Sequence, residues 1–493
     1  MTRNTIQRDP SRFDTGLALV LISVTLRNQR PDVLIDNWFV NSPVLRRSFL
    51  KNFPAAVRGE DLYVWDAAGN RYLDLAGSAA VNFIGHGVPE ISTAMAEQAA
   101  KLEFVHTSQF TTPVAEEYAE ELLAFAGEHF RGGAVYFTCG GSESIETALK
   151  LARQYQVEIG EQRRHQILSR VQSYHGATLG ALSVSGNKRR REMYLPMVRE
   201  FAHVGMPYCY RCDFDCTDGC RNCGQQYAAE LELAIESTQG EAAGFIFEPV
   251  SGATLGAVVP PPGYLQSIAE ICRRHGVLLI ADEVMTGMGR TGRNFAIDHW
   301  LGGEGTIEPD ILVAAKGLSS GYAPLGAVIA SKKVVEAIAE GSGAFLHGFT
   351  YNAHPISLAA GRAVLHYLQE KKLVEAADSS RARSAAAHFK QALETLREEE
   401  SVGDVRGIGL LWAVEFVSDK ASKRPFPPEQ NFAGRVGAAA MKRGLLVYPM
   451  QGSVDGVSGD HLLLAPPAII TGEQIAWSAE QLRASVQEAL ASL

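Results

Sequence analysis

Three short segments of the sequence put reactive residue types where α/β proteins build their sites. Lys316 directly follows the apolar run 311–315 and precedes Gly317. Lysine is rarely buried without a partner, so its place at the end of an apolar strand is poor structural chemistry. It is good reactive chemistry, because a desolvated amine sheds its proton and then forms a Schiff base with a carbonyl carbon. Asp282 ends a second apolar run, 277–281, within Ala281-Asp282-Glu283-Val284. A carboxylate at the carboxyl end of a parallel strand points into the crevice where such sheets bind ligands. Gly140-Gly141-Ser142-Glu143 joins a third apolar run to a helical pattern. Glycines there let the backbone approach an anion, free N–H groups and the helix dipole favour phosphate, and Ser142 caps the helix or donates to a phosphate oxygen. Taken singly, each has a plainer explanation: a surface lysine, an ion-paired or capping acid, a capped helix.

The elements around these segments must bring them together. The stretches 62–65 and 71–75 flank Asp66-Ala67-Ala68-Gly69-Asn70, which predicts a hairpin with a Gly/Asn turn. From about 75 to 345, short apolar runs alternate with helical patterns. The runs are 134–138, 166–171, 244–247, 277–281, 311–315 and 327–330. One helical pattern places Ile145, Ala148, Leu149, Ala152 and Tyr155 on one face; another covers 264–275, after the breaker Pro261-Pro262-Gly263. This alternation predicts a mostly parallel sheet covered on both faces. Beyond 345, long helical patterns at 357–370 and 380–399 precede strands near 410–416 and 445–448. At 493 residues the chain is too long for one core. The expected division is an N-terminal extension at 1–37, the first part of a small domain at 38–75, a large domain at 76–345 with a cysteine-rich insert at 207–224, and the C-terminal part of the small domain at 346–493. A phosphate turn, a strand-end acid and a strand-end lysine, in this order in one α/β domain, are the three fixtures that pyridoxal 5'-phosphate (PLP) requires.

Composition excludes other classes. Apolar residues make up 46% and charged residues 20%, with a net charge of −9 from interspersed signs. That is an ordinary globular balance, without the basic face that nucleic acid demands. No run of 18 apolar residues occurs, and the apolar stretch 17–26 is too short to span a bilayer and lacks a convincing cleavage site. A cytoplasmic protein with neither nucleic-acid nor membrane partners is expected.

Further segments carry a specific resemblance over about residues 38–493. They are Gly85-His86-Gly87-Val88-Pro89-Glu90, residues 139–143, Ser173-Tyr174-His175-Gly176, Glu248-Pro249-Val250, residues 282–291 (DEVMTGMGRT), 315–326 (AKGLSSGYAPLG) and 347–352 (HGFTYN). With these the chain resembles the class III aminotransferases of PLP fold type I, above all their ω-transaminase branch. The resemblance implies a seven-stranded, mostly parallel sheet and a smaller α/β domain built from both termini. It implies amino transfer from an amine or amino acid to a keto acid or aldehyde by a ping-pong mechanism. An aminomutase, racemase or decarboxylase on the same fold is the alternative; a non-catalytic metal or redox protein on a retired scaffold is a more distant one. By resemblance Lys316 holds PLP as a Schiff base and moves the substrate proton. Asp282 keeps the pyridine nitrogen protonated, Tyr174 and Val284 flank the ring, and Gly141 and Ser142 bind the phosphate. Thr350 matches a phosphate ligand donated by the neighbouring subunit, which implies a homodimer with shared sites. Glu248 and Arg290 form either an ion pair near the site or direct contacts to it.

The sequence also departs from the family. Three positions where relatives bind a substrate carboxylate with arginine hold Ala177, Leu463 and Tyr448 here. The pocket is therefore expected to favour neutral or larger amines, with Val81, Phe83 and Tyr448 as apolar lining and the glycine-containing stretch 451–460 as a flexible loop over the mouth. Five of the seven cysteines form Cys209-x₂-Cys212-x₃-Cys216-x₃-Cys220-x₂-Cys223. Cys209, Cys212, Cys220 and Cys223 could hold a structural Zn²⁺ as two CxxC pairs, although the pairs stand closer than in zinc ribbons. Free or redox-active thiols and an iron–sulfur cluster are the alternatives.

Overall fold

A seven-stranded sheet carries all three reactive segments. Its order across the sheet is Ala134–Thr138, Gly326–Ala330, Ile311–Ala314, Leu278–Asp282, Ala242–Phe247, Gln166–Arg170 and His203–Val204. Gly326–Ala330 runs antiparallel to both its neighbours, and every other pairing is parallel. Six strands therefore point the same way and end on the same edge. The computed structural model describes residues 43–48, 51–214, 220, 222–301 and 306–493. The expected extension at 1–37 and Cys216 lie outside the described residues.

The central strands are buried along their whole length, so their alternating side chains feed two cores. Phe245, Phe247, Leu279, Ala281, Leu312 and Ala314 join one core with Tyr118, Ile268 and Leu365 from covering helices. Ala243, Ile246, Leu278, Ile280, Ile311 and Val313 join the other, under Ile145, Ala148 and Ala152 of the helix Gly141–Glu158. This two-sided covering explains why the strands read as continuous apolar runs.

Two four-stranded sheets complete residues 56–493, which form one compact unit. In the first, the predicted hairpin pairs Tyr63–Asp66 with Arg71–Asp74. The Asp66 carboxylate holds its turn by accepting the backbone N–H groups of Ala68 and Asn70, and Gly69 supplies the positive φ. Arg71–Asp74 then pairs in parallel with Leu445–Leu446 from near the other end of the chain. The second sheet runs Val402–Ile408, Leu411–Phe416, Asp460–Leu464, Tyr448–Gln451. The helical pattern expected over 380–399 is shorter: Ser384 caps the helix Ala385–Glu394, which tightens into a 3₁₀ turn at Thr395–Glu398. Among the described residues, no helix is long and apolar enough to cross a membrane.

Candidate active site

The shared strand edge opens on a cavity of about 460 Å³. Lys316, Asp282, Ser142, Tyr174, His175 and Val284 all stand on its wall. Lys316 leaves the strand Ile311–Ala314 through Ala315 and opens the 3₁₀ turn Lys316–Leu318. Its φ is +44°, a sparsely populated conformation for a side-chain-bearing residue and typical of sites held in place by their surroundings. Burial lowers its amine to about 8, although Asp282 and Glu248 pull it upward. A far larger share of the amine is then neutral near pH 7 than for an ordinary lysine, as Schiff-base chemistry demands.

Asp282 is the last residue of its strand and is nearly inaccessible to solvent. One carboxylate oxygen accepts the Val284 N–H at 3.0 Å, and the other lies 2.7 Å from His175 Nδ1. Both contacts fix the carboxylate's direction. His175 Nε2 is buried and has no partner among the described residues.

The anion cup lies at the start of the helix Gly141–Glu158. Ser142 Oγ accepts the Ala177 N–H at 3.0 Å, and Glu143 accepts the Cys139 N–H at 2.9 Å. A Cβ on Gly141 would meet Val284 Cγ1 at 3.0 Å, and one on Gly176 would meet Ser142 Oγ at 2.6 Å. Glycine is thus required where two loops close on the helix N-terminus. A buried amine, an oriented carboxylate, a cup at the end of an 18-residue helix and two side chains to flank a ring fit PLP in chemistry and in kind.

The other expected positions divide. Val81 and Glu248 stand on the wall. Burial raises the Glu248 carboxyl above its ordinary value; it accepts the Gly252 N–H at 2.8 Å and lies 3.4 Å from the Tyr174 N. Glu248 and Arg290 do not pair. Arg290 instead donates to the carbonyls of Ala465, Pro466 and Asn82. Phe83 and Tyr448 lie off the wall. Phe83 is buried with the Arg290 guanidinium 4.7 Å from its ring. Tyr448 pairs with Leu463 across the strands and packs on a cluster containing the wall residues Val250 and Ala253, so it sits one layer behind. The stretch 451–460 is a hydrogen-bonded hairpin end: Gly452 N–H reaches Gly459 O at 2.7 Å, and Asp455 accepts from Val457 and Ser458. None of its residues is on the wall. Thr350 is exposed and is absent from the wall of its own chain.

Sequence reasoning missed two groups. His175 was quoted only as a neighbour of Tyr174, and its adjacency in Ser173-Tyr174-His175-Gly176 was the available signal. Arg190 hid in the basic run 188–191, which looks like a solvated face. Its guanidinium lies 4.3 Å from the Tyr174 ring and is close enough to depress the Lys316 amine slightly. No arginine lines the cavity among the described residues.

Residues 48–486 match the family Aminotransferase class-III. The chain belongs to the class III aminotransferases. Curated relatives include the uncharacterized aminotransferase YodT of Bacillus subtilis, 38% identical over 435 residues that cover 88% of this chain and 94% of YodT. The adenosylmethionine-8-amino-7-oxononanoate aminotransferase of Geobacter sulfurreducens is 34% identical, covering 87% and 91%. Among solved structures, the (S)-enantioselective ω-transaminase of Thermomicrobium roseum superposes with a TM-score of 0.81 at 38% identity, covering 90% and 94%. An amine transaminase from an uncultivated Pseudomonas species, solved with PLP bound, has a TM-score of 0.81 at 32% identity, covering 92% and 98%. The protein is thus an aminotransferase of PLP fold type I acting on small molecules, and PLP is the cofactor the family implies. The alternative of an aminomutase, racemase or decarboxylase is not favoured.

Proposed function

We propose that this aminotransferase holds PLP on Lys316 and moves an amino group from a primary amine or amino acid to pyruvate or an aldehyde. The observation that carries the assignment is the amine of Lys316, lowered to about 8, in one cavity with Asp282 and the glycine–serine cup. Bound there, PLP supplies an electron sink for the charge left on the substrate carbon when its proton departs. Lys316 Nζ takes that proton and returns it, since a neutral amine in a desolvated pocket is a competent base. Asp282 faces the ring nitrogen and keeps it protonated, and His175 acts through Asp282 as a positioning residue by holding its second oxygen. Gly141 and Ser142 bind the phosphate at the helix N-terminus, with Tyr174 and Val284 flanking the ring. Glu248 braces Tyr174 from behind through the backbone N–H.

Acceptor preference follows from the shortage of guanidinium groups. No arginine stands on the wall; Arg190, off the wall beside Tyr174, is the group we assign to one acceptor carboxylate, which leaves none for a second. We further propose a homodimer in which Thr350 completes the phosphate site of the partner. Its exposure, the neighbouring exposed apolar Leu346 and Tyr351, and the contact of the Cys139 Sγ with the Tyr351 carbonyl at the cavity rim support this reading. Borohydride reduction of the holoenzyme followed by peptide mapping tests the central assignment. The label is expected on the peptide containing Lys316, and a label on any other lysine overturns it.

A further inference from the structure

The cysteine-rich insert takes no part in the cavity, yet its thiols converge. The chain leaves the strand His203–Val204, passes through the 3₁₀ turn Cys209–Arg211, and returns at Cys223, the first residue of the helix Cys223–Ser237. The Sγ atoms of Cys209, Cys220 and Cys223 all lie within 4.8 Å of one another. Cys212 stands outside that mutual set but adjoins it: its Sγ is in hydrogen-bonding contact with Cys223 and accepts from the Tyr227 hydroxyl at 3.8 Å. No disulfide joins Cys209, Cys220 and Cys223, so none accounts for their convergence. We propose that Cys209, Cys212, Cys220 and Cys223 bind one structural Zn²⁺.

Geometry and chemistry agree on a single ion. Four sulfurs at ~2.3 Å from a tetrahedral zinc stand about 3.8 Å apart, which small side-chain rotations reach from the observed spacing. The pairs Cys209/Cys212 and Cys220/Cys223 supply two CxxC arms from separate chain segments, as a closed structural site requires. Cys223 opens the 15-residue helix Cys223–Ser237, which gives one arm of the clip a rigid base. Among the described residues of the insert, Phe214 packs edge-on against Tyr227 at 4.7 Å and the cysteines lean on the main core. A metal would supply the cross-link that burial does not. The clip would fix the turn Cys209–Arg211 to the helix Cys223–Ser237. That turn follows Tyr208, which is buried against Leu255 and Val258 of the loop after Glu248.

The test uses holoenzyme purified under reducing conditions without chelator or added metal. Elemental analysis should find one zinc per chain. By peptide mapping, Cys209, Cys212, Cys220 and Cys223 should resist a thiol reagent until a mercurial releases that zinc, whereas the buried Cys272 resists before and after. Growth with Co²⁺ should yield the visible absorption of tetrahedral cobalt thiolate. Cys209→Ser/Cys223→Ser should lose the metal, and Cys272→Ser, outside the cluster, should keep it. Should the double variant fail to fold, the thiol mapping on the wild type decides alone. Metal-free protein in which these four thiols react without a mercurial, a disulfide between any two of the four, or iron in place of zinc would overturn the proposal.

Discussion

The most direct quantitative consequence of the site is the reactivity of Lys316 in cofactor-free protein. With a pKa of about 8 in place of the ordinary 10.5, the neutral fraction at pH 7 is about 9% against about 0.03%, a ratio of about 300. Competitive acetylation across a pH series, read by peptide mass spectrometry against an exposed lysine such as Lys101, measures this advantage. Labelling of Lys316 should rise with pH and level off above about 8. Asp282→Asn removes the carboxylate that holds the amine up, so its midpoint should move below that of the wild type; Glu248→Gln should act in the same direction more weakly. The sign for stability follows. Between about 8 and 10.5 the unfolded chain still binds a proton that the folded one has released, so cofactor-free protein should become more stable as pH rises through that window. A wild-type midpoint near 10.5, or an upward shift in Asp282→Asn, would refute the desolvation argument.

Three further outcomes are expected. Thr350→Ala should weaken PLP retention, and mixing it with Lys316→Ala chains should restore partial activity, because each heterodimer has one intact site; verified heterodimers without rescue would refute the sharing. Pyruvate should be accepted in preference to 2-oxoglutarate, and Arg190→Met should reduce kcat/KM for pyruvate by roughly ten- to a hundredfold, the loss of one charge-assisted hydrogen bond, while sparing an aldehyde acceptor. Glu415 is buried; it accepts from Arg211 at 2.7 Å and from the Tyr208 hydroxyl, and it is ion-paired with Arg406 at 2.8 Å. Glu415→Ala removes the carboxylate between two largely buried guanidinium groups, which keep Asp404 and backbone carbonyls as partners, and should cost up to about 3 kcal/mol in denaturant unfolding. Burial pushes the Glu415 carboxyl up, but Arg406 and Arg211 outweigh it and hold it below 4.5. Its contribution is therefore complete above that pH and lost on acidification through the folded value, so an acid unfolding curve unchanged by the substitution would refute the pairing.

Much of the site was legible because strand ends are legible. Fully buried parallel strands read as apolar runs, and Asp282 and Lys316 stand out as the charges that interrupt them. The glycine–serine cup was legible for the same reason, lying between a run and a helical pattern. The antiparallel course of Gly326–Ala330 was not, since an apolar run carries no direction. Phe83 and Tyr448 were misplaced because side-chain direction depends on register and on what lies between a residue and the cavity. Arg290 claims the ring of Phe83, and Val250 and Ala253 stand in front of Tyr448. The grip of His175 on Asp282 joins segments 107 residues apart, which no local pattern encodes.

The parallel pairing of Leu73 with Leu445 has a consequence for synthesis. A nascent chain can close the strands that carry Asp282 and Lys316 while its last third is still inside or short of the ribosome tunnel. The hairpin Tyr63–Asp66/Arg71–Asp74 emerges first but must wait about 370 residues for its partner strand. Closing so long a loop is entropically slow, and until then one edge of the hairpin offers unpaired backbone groups to any passing strand. A strand made late therefore covers the edge of a hairpin made early, and a message truncated before Leu445 would release a chain whose hairpin Tyr63–Asp66/Arg71–Asp74 has an open edge.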